Sequence, residues 1–378
     1  MTATHIDAFP LVETGDGITT GVRYVPAEPD TVLWGTLPCS TDAAIVSVEP
    51  GETIVVDTVS HEGLLPDQGS DPVAFFGRHG VPSDQILTDA REIARIRTPA
   101  PGQGPHIVTG PIAVSGARPG DLLAVRVDDL VMRAPYGVIS TRHGRGVLRG
   151  NPVLSGNYGS FCPVTADPDR GWVASMALRP DEHESVSFPL QPFLGIMGVA
   201  TDSTSRANSI PPGHHGGNLD IKLLTVGSTL YLPVQVADAL LYVGDPHYAQ
   251  GNGEVALTAL EAPLRATLTV DVIPAADLGE LTRVTGPFAI SDGLLIPTGL
   301  HEDLGQALSS CVTNAVQMLV SLFGMDRQQA YLYLSAATDF QVSQAVDLVQ
   351  GVHGQIRTSD FGHTGWAALQ RLILSSRP

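Results

Sequence analysis

The chain has 378 residues, more than one hydrophobic core usually serves, and its 43% hydrophobic against 16% charged residues describe a folded rather than a disordered protein. Its 39 acidic and 21 basic side chains leave a net charge of −18, which argues against the basic stripe of a nucleic-acid-binding protein. No run of about 18 apolar residues offers a membrane span and the first residues lack a secretory pattern, so the expectation is a cytoplasmic protein with neither a membrane nor a nucleic-acid partner.

Along the chain, glycine (40) and proline (29) punctuate short alternating apolar runs, the pattern of an all-β body. The runs 43–60, 112–130 and 221–243 each place a turn (PGE, PGD or VGS) between a short apolar strand and a longer one, which suggests a weak structural repeat. TVSHEG puts His61 and Glu62 at the end of a strand, and GPHIVTGP holds His106. Residues 131–171 show no clear period and read as a long loop or a crossing arm. Between 211 and 254 two glycine-rich polar segments, PPGHHGGNLDIK and GDPHYAQGNGE, stand at the two ends of a predicted strand pair, TLYLPVQVADALLYV.

Residues 267–275 and 287–300 read as strands. From Glu302 to Phe323, Leu304, Ala307, Leu308, Cys311, Val312, Ala315, Leu319 and Leu322 fall on one face of a helix that Gly324 stops. Asp326 with Gln329 resembles a capping box opening a second helix. Cys39, Cys162 and Cys311 are odd in number and far apart, as buried thiols in a reducing compartment would be. The expected fold is therefore mainly β, a sandwich- or barrel-like body with a C-terminal α/β subdomain. Its divisions fall at 1–130, 131–265 (carrying the polar loops) and 266–378.

Gly, His, Asp and Glu add little to a core and are costly to desolvate unpaired, so the polar segments call for another explanation. GDPHYAQGNGE supplies Asp245, His247, Gln250 and Glu254, and Asp-x-His shares one face of extended backbone. HHGGNLD repeats the donor chemistry with His215, Asn218 and Asp220, and His61 with Glu62 forms a third cluster. A lone Asp-x-His also serves simply to close a turn; three donor clusters at strand ends point instead to a shared divalent-metal site. Oxygen with imidazole donors suits zinc first, with manganese or calcium as alternatives.

These segments, together with GARPGDLLAVRV, PFLGIMGVA and AYLYLSAATDFQVSQAVDLVQGVHGQI, resemble the acetamidase/formamidase family from about residue 20 to about residue 360. The resemblance implies hydrolysis of a small linear carboxamide to carboxylate and ammonia, on a mainly β fold with an α/β part. Lys222 is the only lysine and no GxSxG elbow occurs, so the expected nucleophile is water rather than serine. The metal ligands would come from His61, His215, Asp220, Asp245 and His247, with Glu254, or else Glu62, moving the proton. Asn218 and the Gly216 and Gly217 amides would stabilise the oxyanion, and His106 and Gln250 would help bind substrate. Tyr248 and Asn252 stand where small and acidic residues are usual in the family, which bears on substrate size. Self-association as a symmetric dimer is expected. The competing expectation is a non-catalytic, small-molecule-binding β protein with an oxygen-only structural calcium site.

Overall fold

The computed structural model describes residues 9–179 and 184–362. Two large sheets face one another. The first runs, neighbour to neighbour, Arg23–Val25, Thr53–Asp57, Leu264–Ile273, Leu122–Met132, Thr229–Pro233, Phe288–Ser291, Leu294–His301, Gln350–Arg357 and Asp339–Gln344. The second runs Ser185–Pro189, Gly171–Ala177, Gly159–Asp167, Tyr136–Ser140, Leu260–Glu261, Leu241–Ala249, Phe193–Val199 and Gly216–Asn218, with Ile107–Val114 branching off Leu241–Ala249. The first sheet thus takes strands from all three stretches, 1–130, 131–265 and 266–378.

Period-two alternation explains how the sheets stack. Leu264, Ala266, Leu268 and Val270 turn one way from the first sheet and share a core with Ile112, Val114, Leu241 and Val243 of the second. Burial of each such Leu or Val contributes about 1.5–3 kcal/mol. This is the expected sandwich-like body.

The three similar runs fold differently from simple hairpins. Val46–Val48 and Thr53–Asp57 lie in opposite sheets, as do Ile107–Val114 and Leu122–Met132, so each Pro-Gly turn is an arch across the sandwich. In the third run, residues 221–228 form no strand, and Thr229–Pro233 and Leu241–Ala249 again lie in opposite sheets rather than paired. Residues 131–171 also differ from a plain loop. Tyr136–Ser140 and Gly159–Asp167 pair with each other, and only 141–158 between them is irregular, with one short 3-10 turn.

The C-terminal helices form a third layer on the outer face of the first sheet. Ala315, Met318, Leu319, Ala330 and Leu334 pack against Tyr231, Phe288, Leu295 and Ile356. Leu304–Phe323 begins where the Asp303 side chain accepts from the Gln306 N–H and ends at Gly324, whose φ of 67° is the left-handed cap conformation. Leu304 and Leu308, expected on the buried face, are exposed; the buried stripe is Ala307, Cys311, Ala315, Met318 and Leu319. Small residues are needed there because the helix lies so close to the sheet that a Cβ at Gly299 would fall 2.1 Å from the Ala307 carbonyl oxygen. Asp326 caps Arg327–Ala337 by accepting from Gln328 and Gln329. The 287–300 segment is a hairpin, Phe288–Ser291 with Leu294–His301, folded at Asp292-Gly293, a dipeptide that favours tight hairpin turns. All three cysteines are free and buried. Among the described residues no single helix is long and apolar enough to cross a membrane.

Candidate functional site

The strand Leu241–Ala249 continues through the Asp-x-His motif, which is therefore strand and not loop. Asp245 and His247 project from it toward one another, with His247 Nε2 3.1 Å from Asp245 Oδ2 and also 3.1 Å from Glu261 Oε1. His61 Nδ1 lies 3.6 Å from Asp245 Oδ1, and His247 Nδ1 lies 3.8 Å from Asp220 Oδ1. Two sets of donor atoms result, His61–Asp245–Glu261 and Asp220–His247–Glu254, each with its atoms within 4.8 Å of one another. The strand Phe193–Val199 backs them with Gly195, where a Cβ would sit 2.5 Å from Asp220 Oδ1, 2.7 Å from His247 Cε1 and 2.8 Å from Asp245 Oδ2.

Asp220, Asp245 and Glu254 all adopt positive φ, at 51°, 51° and 45°. For non-glycine residues such backbone costs on the order of 1 kcal/mol or more and clusters at functional sites. All the members of both sets are buried, yet His61 Nδ1 and Nε2, both Asp220 carboxylate oxygens, Asp245 Oδ1, His247 Nε2 and Glu261 Oε2 have no hydrogen-bond partner among the described residues. Buried polar atoms are almost always paired, so this concentration of bare nitrogen and oxygen donors fits a bound cation.

The electrostatics agree. Burial pushes the Asp220, Glu254 and Glu261 carboxyls up, and neighbouring carboxylates add to the effect. Asp347, buried beside Asp220, is pushed up to about 8 by burial and by Asp245. Burial would also raise Asp245, but His106, His247 and His61 hold it below the usual carboxylate range. Glu62 is different again. Burial opposes its charge, yet Arg142 Nη2 at 2.7 Å, with His61 and Gln68, holds it at about 2.

A cavity of about 250 Å³ opens onto these groups, lined among others by His61, His106, Arg142, Asn218, Glu254 and Asp347. Asn218 Nδ2 donates to the Ile210 carbonyl at 3.2 Å, while its Oδ1 has no partner. Asn218 therefore retains an unpartnered acceptor, Oδ1, and a second Nδ2 hydrogen beyond the one given to Ile210. His106 Nδ1 lies 3.2 Å from the Ser209 carbonyl, its Nε2 is 4.0 Å from Asp245 Oδ2, and burial lowers its pKa to about 4.

Residues 199–356 match the family model described as the Acetamidase/Formamidase family. The chain is 25% identical over 300 residues to a formamidase of Methylophilus methylotrophus, covering 64% of this chain and 74% of that protein. The solved acetamidase of Bacillus halodurans superposes with a TM-score of 0.68 at 25% identity, covering 90% of this chain and 99% of that one. An acetamidase of Yersinia enterocolitica shares the fold at a TM-score of 0.69 and 21% identity, over 93% and 96% of the two chains. Over residues 199–356 the chain is thus similar to the acetamidase/formamidase family.

Not every residue expected from the family resemblance reaches the cluster. His215 is in neither donor set; its ring packs against Gly213 and Gly217, and burial lowers its pKa to about 4. Gly216 and Gly217 belong to the fold rather than the cavity. The Gly216 N–H donates to the Gly213 carbonyl, Gly217 pairs with Met197, and a Cβ at Gly216 would fall 2.5 Å from the Met197 carbonyl oxygen. Gln250 does not line the cavity. Glu62 has both carboxylate oxygens engaged, by Arg142 and Gln68.

The sequence reading missed Glu261, Asp347, Arg142 and Gly195. Glu261 and Asp347 each left a faint signal, a single carboxylate inside an apolar run, ALEAPL and QAVDLV, where an unpaired charge would be costly to bury. Gly195 in PFLGIMGV left none, because its role depends on the neighbouring strand.

Proposed function

We propose that this chain hydrolyses the carbon–nitrogen bond of a small linear carboxamide, of the formamide or acetamide kind, to carboxylate and ammonia by attack of water. The observation that carries the reading is the pair of buried donor sets, with seven nitrogen and oxygen atoms lacking a partner among the described residues, beside the cavity that Asn218 lines, in a relative of proteins named formamidase and acetamidase. His61, Asp245 and Glu261, with Asp220 and His247, would hold a divalent ion. Such an ion lowers the pKa of bound water and polarises a carbonyl. Both sets mix imidazole with carboxylate, which favours zinc or manganese over an oxygen-only calcium shell.

Glu254 takes the proton-transfer role in preference to Glu62. It lines the cavity, and burial pushes its carboxyl up, which makes it a stronger base than an exposed carboxylate for taking a proton from water and returning it to the leaving nitrogen. Glu62, held at about 2 with its oxygens engaged, is a weak base. Asn218 Oδ1, held as an acceptor by Ile210, suits a primary amide, whose nitrogen donates two hydrogens. The enzyme is read as a cytoplasmic, symmetric dimer acting on free amides, and sedimentation would test the dimer through its mass in solution.

The test is ammonia release from formamide, acetamide, propionamide and larger amides, with and without zinc or manganese. Release that chelation abolishes and metal restores supports the reading. Full activity in metal-free protein removes the metal from it, and zinc binding without release from any amide makes the chain a binding protein.

A further inference from the structure

Gln250 lies one residue beyond the strand that carries His247, and its side-chain amide is held at three points. Its Nε2 is 2.8 Å from the Asp220 carbonyl oxygen and 3.2 Å from the Ser343 carbonyl oxygen, and its Oε1 is 3.1 Å from His247 Nδ1. Backbone carbonyls only accept hydrogen bonds, so the end of the amide facing both of them must be the NH2 group. The opposite orientation would set Oε1 against two carbonyl oxygens. The group facing His247 is therefore an oxygen, which also only accepts. It follows that His247 Nδ1 carries the hydrogen.

We infer that Gln250 is a positioning residue that fixes His247 in its Nδ1–H form and leaves Nε2 as the nitrogen presented to the donor sets. The inference rests on the reading of His247 as a ligand for its consequence, though not for its geometry. His247 Nε2 has no hydrogen-bond partner despite lying 3.1 Å from both Asp245 and Glu261, so the bonded nitrogen and the bare one are cleanly separated on one ring. Phe193 meets the ring edge-on, at 5.0 Å between centroids and 87° between planes, and limits its rotation. The three anchor points belong to different segments: Asp220 follows Gly216–Asn218, Ser343 lies in Asp339–Gln344, and His247 lies in Leu241–Ala249. The Ser343 carbonyl also accepts from the Gly253 N–H at 2.9 Å, next to Glu254. Through one amide, the edge strand Asp339–Gln344 of the first sheet sets the orientation of a histidine in the second. Partners behind a ligating histidine commonly change metal affinity by 10–100-fold when removed.

The experiment is nitrogen–proton correlation spectroscopy of the full chain labelled with ¹⁵N-histidine, metal-free, together with zinc affinity measured by competition with a chromogenic chelator. Because Asp245 and Glu261 favour the charged ring, the spectra are taken at a pH high enough to make His247 neutral, where its one proton is expected on Nδ1; a neutral ring with its proton on Nε2 overturns the inference without any variant. Gln250→Met removes both the acceptor and the donors at similar length, and should release the ring to a mixture of tautomers and weaken zinc binding 10–100-fold. Gln250→Glu retains an acceptor and should preserve the Nδ1–H form while losing the two carbonyl anchors. An unchanged tautomer in Gln250→Met overturns the positioning role and leaves the metal reading standing. A changed tautomer with unchanged zinc affinity supports the positioning role and removes His247 from the ligands.

Discussion

Replacing Gly195 by alanine tests the site through a residue that has no chemistry of its own. The added methyl would lie 2.5 Å from Asp220 Oδ1, 2.7 Å from His247 Cε1 and 2.8 Å from Asp245 Oδ2, where about 3.5 Å is a comfortable contact. Three donor groups must each retreat by roughly 0.7–1 Å, or the strand must bow away from them. A misplacement of about 1 Å can lower turnover on the order of 10²-fold, which corresponds to about 2.7 kcal/mol of transition-state stabilisation. The overpacking itself is expected to destabilise the fold by about 1–3 kcal/mol, a smaller perturbation than unfolding. Ammonia release, zinc content by elemental analysis and a thermal melt would be measured on the same preparation. Wild-type activity and metal content in Gly195→Ala would refute the placement of both the metal and the chemistry among Asp220, Asp245 and His247.

Other substitutions separate the roles. His247→Ala should lose bound metal, whereas Glu254→Gln should retain it and lose turnover by roughly 10²–10⁴-fold, read from metal content and steady-state rates side by side. Arg142→Met leaves the buried Glu62 without its guanidinium and should lower unfolding stability by about 3–5 kcal/mol in urea. Because Glu62 is held at about 2 against an ordinary value of 4.5, its stabilising contribution is complete above about pH 4.5 and fades as pH falls toward 2; the variant should lose that dependence. Stripping the protein with a chelator should lower its melting temperature, and zinc at about 100 times its dissociation constant should restore about 2.7 kcal/mol. A melting temperature indifferent to metal would contradict a bound ion among the buried carboxylates.

How far the sequence speaks depends on the range over which each signal acts. The caps at Asp303, Asp326 and Gly324 are local backbone chemistry, and the helices start and stop where those residues predict. Asp245 and His247 were legible because a spacing of two survives even the left-handed kink at Asp245. Their strand was not legible as strand: its polar residues and glycine read as loop, and only pairing with Phe193–Val199 and Ile107–Val114 makes it regular. His215 misled because it shares a motif with Asp220, yet the strand Gly216–Asn218 separates the two. Glu261 and Asp347 owe their place to tertiary pairing, and no short window of sequence contains that information.

The donors collected at this site run from His61 through Asp220, Asp245, Glu254 and Glu261 to Asp347, and no local segment holds a complete set. Contacts so remote along the chain form only after much loop entropy has been overcome, which makes such topologies slow to fold. Acquisition of ion affinity during refolding should consequently trail the recovery of helical signal, and a nick in the backbone between Glu261 and Asp347 that lets the ends part should abolish affinity outright instead of reducing it by stages.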